Sequence, residues 1–215
     1  MPTNPIWHTS SSRHCWSRAS PFPDSLRVVM DTLRAFIALE LPDGLRHELS
    51  LHAKRFSGLD KHRQVRWLPP ENYHLTLVFL GNVTSGMVAR LSLLMEALDQ
   101  RSPVPLQFRE LSPFPFSKSP KVVAALLERG PALIALQEKV AQISRSAGIP
   151  LERRRFEPHV TVGRMGRTRK PLHLPPLPIF LSGNAETVVL YESELTRQGA
   201  AYTPLMEVQL EGDEP

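Results

Sequence analysis

From residue 30 onward the hydrophobic positions either alternate with polar ones in short runs or fill those runs outright, and between the runs they recur at helical spacing. Residues 33–40 (LRAFIALE) form one such run. Over 43–55 the apolar Leu45, Leu49 and Ala53 are spaced to share one helix face. Strands are predicted again at 65–68 and 74–80, the second entered from Pro69-Pro70. Thr84 is placed to cap a helix running to about residue 100, with Met87, Leu91, Leu94, Met95 and Leu98 on its apolar side. Residues 106–111 and 122–128 read as strands flanking a proline-rich loop at 112–120, and Pro131 opens a helix that Gly148 ends. The last strands are 159–164, 187–195 and 202–210. Strand pairs recur without a helix between them, so the order predicts an α+β fold of two lobes, each a sheet covered by helices, rather than a doubly wound parallel sheet.

Residues 1–29 do not share this pattern. They hold Cys15, Trp7, Trp16, four prolines and a Ser/Thr/Arg-rich centre without apolar periodicity. They are expected to be a disordered extension ahead of a folded domain spanning 30–215. Pro2, Pro5, Pro21 and Pro23 would break the amphipathic helix of a transit peptide, and no continuous apolar segment suited to secretion precedes Ser25. A translation start at Met30, directly before the first strand, is the alternative.

The most informative feature is a repeat. His74-Leu75-Thr76-Leu77 and His159-Val160-Thr161-Val162 share the pattern His-apolar-Thr-apolar, each just inside a predicted strand and close after proline. At ordinary residue frequencies such a tetrapeptide arises about 0.04 times in a chain of this length, so two copies by accident is on the order of one in a thousand. Successive strand side chains point to opposite faces, so His and Thr project together while the apolar neighbours enter the core. A single strand histidine is most often structural; a matched pair invites chemistry. Two imidazoles across a cleft suit metal-free hydrolysis of a cyclic phosphodiester, because one can deprotonate water while the other protonates the departing sugar oxygen. The threonine hydroxyls can donate to the non-bridging phosphate oxygens.

Composition narrows the setting. The 215 residues carry 26 Lys+Arg against 21 Asp+Glu, a net charge of +5, of which residues 1–29 supply +2. That mild excess suits an anionic partner without requiring one. No run approaches the roughly 20 apolar residues of a membrane-spanning helix, so no membrane role is expected. The lone Cys15 leaves no internal disulfide and no cysteine-based zinc site, which suits a reducing, cytoplasmic setting. A zinc hydrolase would want three protein ligands. The other histidines (His8, His14, His47, His52, His62 and His173) fall outside strands of matching pattern, so no metal and no cofactor is expected.

The sequence around these motifs resembles the two-histidine phosphoesterases, and within them the RNA 2′,3′-cyclic phosphodiesterases, also called the LigT-like or 2′-5′ RNA ligase family. Arg34-Ala35-Phe36-Ile37-Ala38-Leu39 resembles the family's opening strand. Residues 65–81, VRWLPPENYHLTLVFLG, are similar to its first motif, and 156–164, FEPHVTVGR, to its second. Residues 189–193 with Tyr202-Thr203 resemble its closing strands, so the likeness covers about 33–210 and leaves 1–29 without a counterpart. The 165–178 linker is shorter and richer in proline than the family pattern, so the second lobe is expected to lack a helix there.

The resemblance implies a bilobal fold, two sheets with flanking helices related by a pseudo-two-fold axis around a central cleft. It implies that His74 is the proton donor to the leaving 3′ oxygen and His159 the proton acceptor from water, giving a 2′-phosphate, with reversible 2′-5′ RNA ligation as a companion activity. Thr76 and Thr161 would bind the phosphate. Phe36 is a substrate-binding candidate, by stacking on a base, against plain core packing. Arg164 is a further candidate, although strict alternation puts it on the strand face opposite His159 and Thr161. Arg153, Arg154 and Arg155 are placed to meet RNA backbone, against a merely solvated charge run. The partners implied are RNA ends or cyclic nucleotides, with no obligate protein partner and a monomeric state. Competing readings are the same fold acting on a small cyclic nucleotide or a 2′-5′ oligonucleotide, and a non-catalytic RNA-binding module, which would not require two imidazoles.

Overall fold

A computed structural model of the chain describes residues 31–116, 120–153, 155–166, 174–196 and 199–212. The expected extension 1–29, the Met30 start and half of the 165–178 linker, residues 167–173, lie outside these residues, as does Arg154. The described part is α+β: strands β1 (Thr32–Glu40), β2 (Val65–Trp67), β3 (His74–Thr84), β4 (Val104–Phe114), β5 (Val122–Leu127), β6 (His159–Met165), β7 (Leu177–Pro178), β8 (Ser182–Ala185), β9 (Thr187–Thr196) and β10 (Gly199–Gln209), with helices α1 (Asp43–Ser57), α2 (Ser85–Met95) and α3 (Pro131–Ser146).

The strands run in the order β10-β9-β1-β3-β6-β5-β4-β7, all antiparallel, with β2 added on β6 and β8 on β4. The two lobes are the halves of this order, β10-β9-β1-β3 and β6-β5-β4-β7. At the centre β3 and β6 pair through Leu75 and Val160, both fully buried, and β2 adds a three-residue ladder to β6 beside them. The repeat is visible in connectivity: β1-α1-β3 and β5-α3-β6 are each two antiparallel strands linked through a helix, and each ends in a His-x-Thr strand. In the strand order the two units are mirrored about the β3–β6 junction, β1-β3 on one side and β6-β5 on the other.

The helices form where the pattern places them. Leu45, Leu49, Ala53 and Phe56 line the buried side of α1, with Asp43 in its first turn and Lys54 and Arg55 in its last, each sign matching the helix dipole. In α2 the Thr84 hydroxyl accepts from the Met87 N–H at 3.3 Å, as capping predicts. This helix ends at Met95 instead of continuing to residue 100. A 3₁₀ turn, Glu96–Leu98, follows it, and Leu98 is fully buried there. Pro131 occupies the first turn of α3, and Gly148, at φ +87°, sits in the left-handed region beyond its end.

Two departures concern strands. β4 continues through Ser112 and Pro113 to Phe114, where a proline-rich loop is predicted. β7 pairs with β4 only at Glu110 and Leu111, so Pro113 lies where β4 keeps a single partner. β7 and β8 carry almost no apolar alternation and are held on β4 by backbone pairing. No helix among the described residues is long and apolar enough to cross a membrane.

Candidate active site

His74 and His159 are the first residues of β3 and β6, the strands that meet at the centre. Extending the antiparallel register by one residue on each side of Leu75–Val160 sets His74 across from Thr161 and Thr76 across from His159. Each imidazole thus faces the other strand's hydroxyl. All four side chains are half-buried, while Leu75 and Val160 beneath them are fully buried.

Both rings are fixed from behind by the chain that leads into them. His159 Nδ1–H donates to the Glu157 carbonyl at 2.8 Å, which commits that nitrogen to the backbone and leaves Nε2 as the one available to a ligand. Arg129 holds that entry segment, donating to the Phe156 carbonyl, while the Glu157 carboxylate lies 3.0 Å from Arg155 Nε. This ion pair is exposed and contributes orientation more than stability. His74 hydrogen-bonds the backbone of Asn72. The same device, a bond to the residue two positions earlier, therefore serves both histidines.

The surroundings of the two rings differ. His74 sits in an aromatic group: Phe36 stacks on it at 5.0 Å between centroids, Tyr202 meets it edge-on at 5.2 Å, and Tyr191 lies 6.2 Å away. Burial pushes its pKa from 6.5 down to about 4; the charges of Arg164 and His159 push the same way, and the bond to Asn72 opposes them. Tyr191 donates to Glu40, and burial together with that carboxylate raises the tyrosine's pKa. Among the described residues His159 has one close aromatic neighbour, Phe114, at 4.7 Å.

Beyond each threonine the strand carries a bulge. Thr161 pairs with Ala124 but Gly163 with Val123, so Val162 and Gly163 together occupy one step and both are buried. On β3, Thr76 pairs with Ala38 but Val78 with Ile37, and Leu77 and Val78 are likewise both buried. The alternation restarts one residue late. Arg164 and Phe79, each the fifth residue after its histidine, are thereby returned to the cleft face. This corrects the expectation that Arg164 points away: its Nη2 lies 3.4 Å from the Tyr202 hydroxyl, and its charge is felt by His74. Gly163 is required at its bulge, because a Cβ there would sit 2.5 Å from Val65 Cγ1 and 3.3 Å from Trp67 Cε3.

Phe36 is only 4% exposed and packs between His74 and Tyr191, so the structure places it as support for the histidine, with no free face for a base. Among the described residues no group of three or more His, Cys, Asp or Glu converges as a metal site.

A family described as LigT like Phosphoesterase has a family model that matches residues 39–124 and 127–202, which takes in both histidine strands. The chain belongs to the LigT-like phosphoesterases. Among LigT-like relatives, RNA 2′,3′-cyclic phosphodiesterase of Methanothermobacter thermautotrophicus is 31% identical over 180 residues, covering 80% of this chain and 96% of the relative. The protein of that name from Bacillus subtilis is 28% identical over 182 residues, covering 81% and 95%. The crystal structure of a Thermus thermophilus protein superposes with TM-score 0.74 at 27% identity, covering 85% of this chain and 100% of that one. E. coli LigT complexed with 3′-AMP superposes with TM-score 0.68 at 26% identity, covering 84% and 99%.

In this LigT-like chain, His74, Thr76, His159, Thr161 and Arg164 come together on one cleft face, and Phe36 lies beneath it. Sequence reasoning missed Tyr191, Tyr202 and Phe114, the aromatics against the two rings. Their signal was weak: Tyr191 and Tyr202 lie in strands already marked, and only the pairing of β9 with β1 reveals that Tyr191 flanks Phe36.

Proposed function

We propose that the protein opens 2′,3′-cyclic phosphates at RNA ends, leaving a 2′-phosphate and a free 3′ hydroxyl. The supporting observation is the two-fold arrangement itself: two imidazoles at the central strands, each facing the other strand's threonine, with Nδ1 of His159 tied to the Glu157 carbonyl so that Nε2 is the nitrogen left for proton transfer. The names of the relatives point to the same reaction.

In this reading the phosphorus lies between the rings, with its non-bridging oxygens accepting from the hydroxyls of Thr76 and Thr161. His159 Nε2 takes a proton from water as the water oxygen bonds to phosphorus. The P–O3′ bond breaks, and His74 delivers its proton to O3′. Desolvation disfavours the charged His74 ring in the free protein, and the anionic phosphate supplies the counter-charge that lets the ring take up, in the complex, the proton it passes to the departing alkoxide. Arg164 adds positive charge at the same face. Both proton transfers come from the chain, so the reaction as proposed needs neither metal nor cofactor. A monomer in a reducing, cytoplasmic compartment fits this reading. Attack by a 5′ hydroxyl in place of water would give 2′-5′ ligation through the same groups.

The test is to incubate the protein with an RNA ending in a 2′,3′-cyclic phosphate, with and without EDTA, and to identify the product phosphate. The expected result is a 2′-phosphate at equal rates in both. A 3′-phosphate product, or turnover lost to EDTA and restored by a divalent metal, would overturn the reading.

A further inference from the structure

Arg66 and Arg164 are direct partners in the β2–β6 ladder, so their side chains leave the same side of the sheet. Like charges opposed in this way repel unless something between them is negative. Among the described residues neither guanidinium has an acidic partner within ion-pair distance. Both instead line a cavity of about 130 Å³ together with Asn72, Tyr202, Trp67 and Gly199. Two guanidiniums, an amide and a phenol hydroxyl make a wall dominated by donors, and such a wall matches a phosphate's several acceptor oxygens. Gly199, at φ +137°, permits the crossing from β2 to the β9–β10 hairpin: a Cβ there would lie 3.3 Å from Arg66 Nη2 and 3.4 Å from Nη1. The cavity adjoins the histidine pair, because Tyr202 is common to both; its ring lies 5.2 Å from that of His74.

We propose that this cavity binds a second phosphate, the one on the 5′ oxygen of the ribose whose cyclic phosphate lies between the histidines. The proposal rests on the function proposed above and gives it a substrate class: nucleotides with a phosphate on both sides of the terminal ribose, over bare nucleoside cyclic phosphates. The phosphate can be an internal RNA diester or a terminal 5′-monoester, whose recognition chemistry is shared.

Three substrates separate these cases: adenosine 2′,3′-cyclic phosphate, its 5′-phosphorylated form, and the dinucleotide ApA ending in a 2′,3′-cyclic phosphate. The wild-type kcat/KM is expected to be at least about 10-fold higher for one or both phosphate-bearing substrates, and which one gains identifies the source. In Arg66→Gln that ratio should fall about 10- to 100-fold, the effect of losing a charge-assisted hydrogen bond, with partial recovery in Arg66→Lys. A wild-type ratio near one, or an unchanged ratio in Arg66→Gln, overturns the proposal. If the wild type opens none of the three, the hydrolytic reading fails on its own. Calorimetric binding of 5′-AMP against adenosine then decides the cavity: a wild-type preference for 5′-AMP that Arg66→Gln abolishes supports it, and equal affinities refute it.

Discussion

The depressed pKa of His74 makes the stability of the fold depend on pH in a direction that can be worked out. The folded ring titrates at about 4 against an ordinary 6.5, so between these values the unfolded chain binds a proton that the folded one does not. Stability rises with pH across that window. The contribution is complete above about pH 6.5 and lost as pH falls through 6.5 toward 4. The shift corresponds to about 3 kcal/mol at most, and roughly 2 kcal/mol of it falls between pH 7 and pH 4.5. Water at the cleft mouth makes these upper bounds, since the ring is only half-buried. Denaturant unfolding of wild type and His74→Gln at the two pH values isolates the effect: the wild type should lose up to that much more than the variant on acidification. An NMR titration of the His74 ring should give a midpoint far below 6.5, rising when a phosphate ligand is added. Parallel loss of stability in the two proteins, or a midpoint at or above 6.5, would refute both the burial argument and the idea that the acid is charged only in the complex.

The division of labour has its own test. His74→Ala and His159→Ala should each lower hydrolysis of an RNA cyclic phosphate by at least about 10²- to 10⁴-fold; with a nitrophenolate leaving group, which needs no protonation, only His74→Ala should recover, and recovery of His159→Ala instead would reverse the roles. Phe36→Ala should cost about 3 to 5 kcal/mol of stability as a buried truncation and, by admitting water, raise the His74 pKa toward 6.5; an unchanged His74 titration would show that Phe36 is not what desolvates it. Gly163→Ala should cost about 1 to 3 kcal/mol in thermal or denaturant unfolding, because its Cβ would press on Val65; a neutral result would mean the β2 strand lies further from the bulge.

Much of this was legible in the sequence because period-two patterning is a local signal. His74 and Thr76, like His159 and Thr161, share a face through strand geometry alone, and the repeated tetrapeptide announced the two-fold relation of the lobes. The strands carrying continuous apolar runs, such as β1 and β5, fell where expected, since they are central and buried. β7 and β8 were silent because backbone pairing at an edge leaves little trace in side-chain pattern. Phe36 was undecidable from its strand: whether an aromatic on the cleft face is open or covered depends on Tyr191 and Tyr202, more than 150 residues away in the chain.

Arg164 shows most clearly what alternation leaves out. A single extra residue in β6 reverses the face of everything after it, and Gly163 at that bulge lies under Val65 and Trp67 of β2, where a Cβ would come within 2.5 Å of Val65 Cγ1. The same bulge after Thr76 turns Phe79, 68% exposed, toward the cleft from the other lobe. The two-fold symmetry of the backbone thus delivers equivalent positions, and the side chains at them break it: an aromatic on the side of His74, a guanidinium on the side of His159. With Phe36, Tyr191 and Tyr202 against it, the His74 ring is desolvated, whereas the neighbouring lobe presents charge and donors. A symmetric scaffold with one dry and one polar side places two identical imidazoles in different surroundings, and acid and base acting in a single displacement require that the two rings not be equivalent.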